Sequence, residues 1–311
     1  MTTKRSGSYA RAAPPTAESG TVPMPEVDRL TRPDAEYAGV PALERLEIEL
    51  LLEAVYRHYG NDFRSYAFSS LRRRLKKRLD AEGLSTFSAL QDRILRDSDA
   101  MDRLLRDMSV NVTGMFRDPT FFLELRERVV PILRTYPFIR IWHAGCATGE
   151  EAYALAVLLE EEGLYDRSRV YATDVSSDAL EKAKEGVFPL SRMREYAANH
   201  RQAGGTRAFD EYYTTRDEAA LFDPKLRRNV LFAQHNLATD TSFSEFNLIL
   251  CRNVLIYFDR NLKGRVFKLF ADSLASLGLL CLGRRESLRF TAAENDYEEF
   301  DAKERIYRRR R

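Results

Sequence analysis

No stretch of this 311-residue sequence approaches the roughly 20 consecutive apolar residues that a bilayer-spanning helix needs. The N-terminus carries no apolar core of the secretory type either, and the expected compartment is the cytoplasm. Cysteine is scarce. Cys146, Cys251 and Cys281 lie in or beside apolar runs without paired metal spacing, and their odd number argues against a disulfide framework, so they are expected to be reduced, buried and small. Excess charge of one sign is absent too. The 49 basic residues oppose 47 acidic ones, so a nucleic-acid or membrane interaction would have to rest on a local patch. Among the few histidines, His143, His200 and His235 show no ligand spacing, and no metal is expected. What is present is an apolar fraction of 44%, ample for a core in a chain that can hold one large domain or a small one beside a medium one.

Residues 1–40 are polar and punctuated by Pro14, Pro15, Pro23, Pro25 and Pro33, with no helical or alternating period. Such a stretch does not offset its ordering entropy and is expected to be a disordered tail. From Leu43 to Tyr59 apolar residues recur at helical intervals, and two or three further helices follow before Met108, so 41–110 reads as a small helical domain. Within it Leu71, Leu75 and Leu79 form one stripe, while Arg72, Arg73, Arg74, Lys76, Lys77 and Arg78 cover the remainder and make the helix strongly basic. After Phe138 the pattern changes. Strands are expected at 139–144, 170–173, 230–234, 246–251, 279–283 and near 305–307, with helices at 150–162, 177–185 and 261–275. That alternation predicts a mostly parallel, doubly wound α/β sheet within 111–311, interrupted at 187–228 by an aromatic-rich inserted subdomain.

The first strand runs into a Gly-spaced turn, His143-Ala-Gly145-Cys-Ala-Thr-Gly149-Glu150-Glu151. Gly145 and Gly149 let the backbone turn sharply and approach a ligand closely. The second strand ends at Asp174, about 25 residues further on, the spacing at which an acidic side chain meets a ribose hydroxyl pair. Three more segments carry polar residues at matching places: Asn111-Val-Thr113-Gly-Met-Phe-Arg117 just before the sheet, Asn236-Leu237 after the third strand, and Arg252-Asn253-Val-Leu-Ile-Tyr257 after the fourth. Residues just past the carboxyl ends of parallel strands line the crevice where ligands bind, so all could face one pocket.

Together these segments, in this order and spacing over roughly residues 43–311, resemble the CheR family of chemotaxis protein methyltransferases, which use S-adenosylmethionine to methylate glutamate side chains of chemoreceptors. The resemblance implies a Rossmann-like class I methyltransferase sheet with an inserted small β subdomain, preceded by a small all-α domain that helps engage the receptor. It implies that Asp174 accepts from the ribose hydroxyls, that Gly145 and Gly149 give close approach, and that Glu150 or Glu151 meets the ligand's ammonium group. By family position Asn111, Thr113 and Arg117 close over the cofactor, and Asn236, Leu237, Arg252 and Asn253 complete its pocket. Arg117 and Tyr257 are expected to hold the incoming carboxylate. A carboxylate with a pKa of about 4.3 is ionised at neutral pH, so its attack on a methyl group needs no general base and no metal.

Each residue has a plainer role open to it: the glycines could serve only the turn, Asp174 or Asn111 could cap a helix, and the basic helix could be a solvated face. The chain also departs from the family pattern. Met115-Phe116-Arg117 stands where Phe-Phe-Arg is usual, and Gly283-Arg284-Arg285-Glu286-Ser287 adds positive charge near the pocket rim. The insert at 187–228 occupies the place where some relatives dock a short receptor tail as an added strand. A receptor or receptor-like protein is the expected partner, met peripherally at the membrane, and nucleic acid is the weaker alternative for the basic helix. A methyltransferase with a non-receptor substrate and a cofactor-binding adaptor without turnover are the competing functions.

Overall fold

The computed structural model describes residue 37 and residues 39–108, 113–289 and 291–310. The expected tail therefore lies almost wholly outside the described residues, as does Asn111. Gly39–Arg311 gathers into one compact unit. Among the described residues no helix is long and apolar enough to cross a membrane.

Four helices come first: α1 (Ala42–Tyr59), α2 (Phe68–Ala81), α3 (Phe87–Arg96) and α4 (Ser98–Met108). α1 stops at Gly60, whose φ of 76° suits the left-handed cap and whose N–H bonds back to the Tyr56 carbonyl. The Thr86 hydroxyl accepts from the Ala89 N–H to start α3. The apolar stripe of α2 is buried as expected, but Arg74 is buried with it. This is the one residue of the basic run that the spacing misplaces. Its guanidinium reaches the Met108 carbonyl at the end of α4, so a polar partner across the unit permits the burial.

Next come α5 (Pro119–Glu124), a π-turn over Leu125–Val129 and α6 (Val130–Leu133). Pro131 lacks the N–H that would continue the α pattern, and the Val130 N–H bonds the Leu125 carbonyl instead. The sheet domain then runs β1 (Ile139–Ala144), α7 (Glu150–Glu161), β2 (Ser168–Asp174), α8 (Ser177–Glu185), β3 (Val187–Pro189), α9 (Leu190–Gln202), β4 (Tyr213–Arg216), β5 (Ala219–Phe222), β6 (Val230–Gln234), β7 (Phe246–Cys251), α10 (Arg260–Ser273), β8 (Leu274–Leu282), β9 (Tyr297–Asp301) and β10 (Ile306–Arg309). The order in the large sheet is β6-β2-β1-β7-β8-β10-β9, parallel as far as β8 and antiparallel beyond it. β3, β5 and β4 form a separate antiparallel sheet, which with α9 makes up the inserted subdomain.

From β1 the chain moves outward through β2, then returns across to β7 on the other side of β1, so the strand order reverses between β1 and β7. Such a reversal leaves a crevice at the strand carboxyl ends. Two apolar layers hold the sheet in place. One packs α7, the π-turn and the insert against Ile139, Ile141 and Leu250, and the other packs α10 against Trp142, Ile249 and Leu280. All three cysteines are buried, and burial pushes the thiols of Cys146, Cys251 and Cys281 upward.

Candidate functional site

A cleft opens over the β1/β7 reversal. The helical unit closes one side of it. The Ala67 N–H donates to the Tyr257 carbonyl at 2.9 Å, the Asp259 N–H to the Ser65 carbonyl at 2.9 Å, and Tyr66 bridges Phe258. Tyr66 and Met108 thereby line the cleft.

At the end of β1, Gly145 has a φ of 81°, and a Cβ on it would lie 2.3 Å from the Val254 side chain. Its bareness lets the turns after β1 and β7 meet over the crevice. Gly149 has a φ of 94° and begins α7, but it does not line the cleft; its Cβ position is 2.8 Å from Ala183 on α8, so this glycine serves helix packing. Asp174 closes β2 and faces the cleft. One of its oxygens accepts the Ala147 N–H at 2.8 Å and the other the Ser176 N–H at 3.0 Å, which fixes the carboxylate at the edge of the cleft. Burial pushes its carboxyl above the usual range, with the backbone donors opposing.

The two adjacent glutamates separate. Glu150 is buried, takes a hydrogen bond from Thr148 and does not line the cleft. Glu151 does. Its Oε2 meets Arg252 Nη1 at 2.6 Å, and its Oε1 sits 3.4 Å from His143 Nε2 without a hydrogen-bond partner. Burial raises its carboxyl, yet Arg252, His143 and Arg117 outweigh that and hold it down to about 2.

Arg252 follows β7 and is spent within the protein. Beyond Glu151 it reaches Asp118 at 2.7 Å and the Arg117 carbonyl at 3.3 Å, and its guanidinium lies 3.9 Å over the Phe121 ring. Arg117 stands between two residues with positive φ, Phe116 at 52° and Asp118 at 56°, and lines the cleft. Non-glycine residues in that region are held there by their surroundings, here the buried Phe116 ring and the Asp118 ion pair. Thr113, Asn236, Leu237, Asn253 and Tyr257 complete the lining from the sequence-derived set. The Asn236 side-chain oxygen accepts the Ala238 N–H at 2.9 Å, shaping the loop after β6.

Sequence reasoning passed over Tyr66, Met108 and His143 as site residues, because nothing in their local pattern separates them from core. It also passed over Glu286. That buried carboxylate receives the backbone N–H groups of Gly283, Asn253, Leu255 and Ile256 at 2.6, 3.0, 2.7 and 3.3 Å, and so fastens the turn after β7 to the turn after β8. Three of its four donors lie about 30 residues away, so its local pattern gives no signal for this role.

Comparison with known proteins places the chain in a family. The family model for the CheR methyltransferase SAM binding domain matches residues 111–305, and that for the CheR methyltransferase all-alpha domain matches residues 46–109. Cher3 of Pseudomonas putida is 48% identical over 264 residues, 85% of this chain and 97% of the relative. The chemotaxis protein methyltransferase of Listeria monocytogenes is 29% identical over 251 residues, 80% of this chain and 92% of that one. The N-methyltransferase NodS of Bradyrhizobium japonicum, solved with S-adenosyl-L-homocysteine, is 16% identical and the match covers 55% of this chain and 63% of that one, with a TM-score of 0.30. On the two family models and the Pseudomonas relative, the chain belongs to the CheR family of S-adenosylmethionine-dependent methyltransferases.

Proposed function

We propose that this protein transfers a methyl group from S-adenosylmethionine to glutamate side-chain carboxylates of a chemoreceptor or receptor-like signalling protein, acting in the cytoplasm. One observation carries the reading: Arg117 and Tyr257, two donors suited to a carboxylate, line the same cleft as Asp174, an acceptor suited to ribose hydroxyls. S-adenosylmethionine, when bound, supplies an electrophilic methyl carbon. Asp174 holds the ribose end, and Glu151, which lines the cleft and is anchored by Arg252, meets the ammonium group in preference to Glu150, which does not line it. Asn236, Leu237 and Asn253 border the remainder. Arg117 and Tyr257 orient the substrate carboxylate, which is already ionised at neutral pH and needs no base; their contribution is alignment and exclusion of water. The helical unit would engage the receptor, with the insert as a second place of contact.

The test is to incubate the protein with methyl-labelled S-adenosylmethionine and a membrane fraction rich in receptors. Glutamyl methyl esters release methanol in mild base, whereas methylated amines do not. Base-stable label would redirect the reading to another substrate, and cofactor binding without transfer would favour an adaptor. Replacing Asp174 with Ala is expected to weaken S-adenosylhomocysteine binding by about 30-fold or more, since two buried hydroxyl contacts are lost at about 1 kcal/mol or more each.

A further inference from the structure

The loop that carries Arg117 into the cleft is held from the inserted subdomain. Phe116 and Asp118, on either side of Arg117, both have positive φ, at 52° and 56°, so the loop keeps its course only while its neighbours fix it. Asp118 is fixed by Arg252. The ring of Phe116 packs on Phe122 of α5 at 5.0 Å between centroids, on His200 of α9 at 5.0 Å and on Phe209 at 6.1 Å. His200 and Phe209 both belong to the insert. One residue earlier in the chain, the Met115 carbonyl accepts a hydrogen bond at 3.3 Å from the side-chain amide of Asn199, also on α9.

α9 is itself anchored to the sheet domain. His200 is buried, and its Nε2 lies 3.0 Å from Oε1 of Glu161 at the end of α7. The same oxygen accepts the N–H groups of Thr206 and Arg207 at 3.0 and 3.2 Å and the Tyr212 hydroxyl at 3.0 Å. The other oxygen meets Arg126, which also donates to the Ala203 carbonyl at 2.9 Å. A wholly buried carboxylate with this many donors fixes the end of α9 and the turn after it against α7. The support of Arg117 therefore runs from α7 through Glu161 and His200 to Phe116. Neither Asn199 nor His200 lines the cleft, so whatever they contribute there passes through the loop.

We propose that Asn199 and His200 are positioning residues for methyl transfer: by holding Met115 and Phe116 they set the direction in which Arg117 enters the cleft, and the inserted subdomain is thereby part of the machinery that orients the substrate carboxylate. The proposal rests on the reading of Arg117 as a residue that orients the substrate. A guanidinium meets a carboxylate through directional, planar hydrogen bonds, and a backbone shift of about 1 Å at Arg117 would misalign them together.

The experiment is a double-mutant cycle on the full chain, with wild type, Asn199→Ala, Arg117→Ala and the two together, read as kcat/KM for base-labile methyl transfer to receptor-rich membranes. Asn199 is half-buried, and its truncation should leave the fold intact. We expect Asn199→Ala to lower kcat/KM about fivefold in the wild-type background and less than about twofold beside Arg117→Ala, because a loop without the guanidinium has nothing left to aim. A purely structural role would give the same loss in both backgrounds; that result, or no loss in either, would overturn the proposal. Hydrogen exchange supplies a readout that needs no turnover: amides of residues 113–122 should exchange faster in Asn199→Ala than in wild type, and unchanged protection there would overturn the proposal as well. Full activity of Arg117→Ala would strike the role of Arg117 itself and the proposal with it. Failure of the wild type to form any methyl ester, with exchange still raised in the variant, would count against the substrate chemistry and leave α9 standing as the support of Arg117.

Discussion

The guanidinium of Arg74, on α2, lies 4.4 Å from the centre of the Tyr257 ring, which follows β7. Arg74 is buried, its Nη1 bonds the Met108 carbonyl, and its Nη2 has no hydrogen-bond partner. Burial pulls its pKa down, so the charge is held at a cost that a carboxylate arriving at Tyr257 would offset. The helical unit thus sets a buried cation against the ring of a cleft residue.

Replacing Arg74 with Ala is expected to lower methyl transfer about 10- to 100-fold while leaving S-adenosylhomocysteine affinity within about twofold. Arg74→Lys keeps the charge but not the planar stack and should restore only part of the rate. Steady-state kinetics beside calorimetry separates the two effects; an equal loss of cofactor affinity would show that Arg74 merely supports the cleft wall.

Glu151→Gln leaves Arg252 buried with Asp118 as its remaining carboxylate, and should destabilise the fold by about 3 kcal/mol, the low end for breaking a buried pair. The pH dependence follows from the depressed carboxyl. Folded Glu151 titrates at about 2, below the ordinary 4.5, so its contribution is complete above the ordinary value and is lost as pH falls toward 2. Glu161 behaves alike. Burial raises it, but His200 and Arg126 hold it to about 2. Urea unfolding between neutral pH and the acid limb should therefore show a shallower stability loss in Glu151→Gln and Glu161→Gln than in wild type.

Gly145→Ala would press a methyl group to 2.3 Å from the Val254 side chain at a φ of 81°. Calorimetry is expected to show a loss of S-adenosylhomocysteine affinity of about tenfold or more, as the loop bearing Asn253 is displaced. Val254→Ala in the same chain removes the clashing methyl and should recover part of that loss; no recovery would mean that the backbone angle alone is responsible.

Among the basic residues of α2, Arg73 is exposed with no ion pair among the described residues, and Lys77 is exposed but touches Asp107 at 3.3 Å. Reversing both to glutamate should reduce methylation of a protein substrate severalfold without altering cofactor affinity, and the deficit should narrow at high salt. A deficit that persists unchanged in salt would point to local unfolding of α2, which circular dichroism would detect.

Much of the fold is legible in local pattern. The strands expected at 139–144, 230–234 and 246–251 match β1, β6 and β7 residue for residue, because each is a short apolar run bounded by polar turns. β8 begins at Leu274, before the expected 279, since its first residues continue the apolar period of α10 and only pairing with Phe246 makes them strand. β9, Tyr-Glu-Glu-Phe-Asp, has too little apolar alternation to announce itself and exists because β10 pairs with it at the sheet edge. α9 was hidden inside the insert for a similar reason: its buried Met193, Tyr196 and His200 face a core that other segments supply.

The sequence by itself determined the alternation of strands and helices, the glycine turn after the first strand, the acid that ends the second, and the family to which their order points. Those are properties of neighbours along the chain, set by period and by backbone freedom. Only the tertiary structure decided that Glu151 and not Glu150 faces the cleft, that Arg252 is consumed by Glu151 and Asp118, that Gly149 serves packing, and that Arg74 leaves the basic surface to lie against Tyr257. A side chain's partner across a hundred residues depends on which charges and surfaces docking brings together, and local spacing carries no record of that.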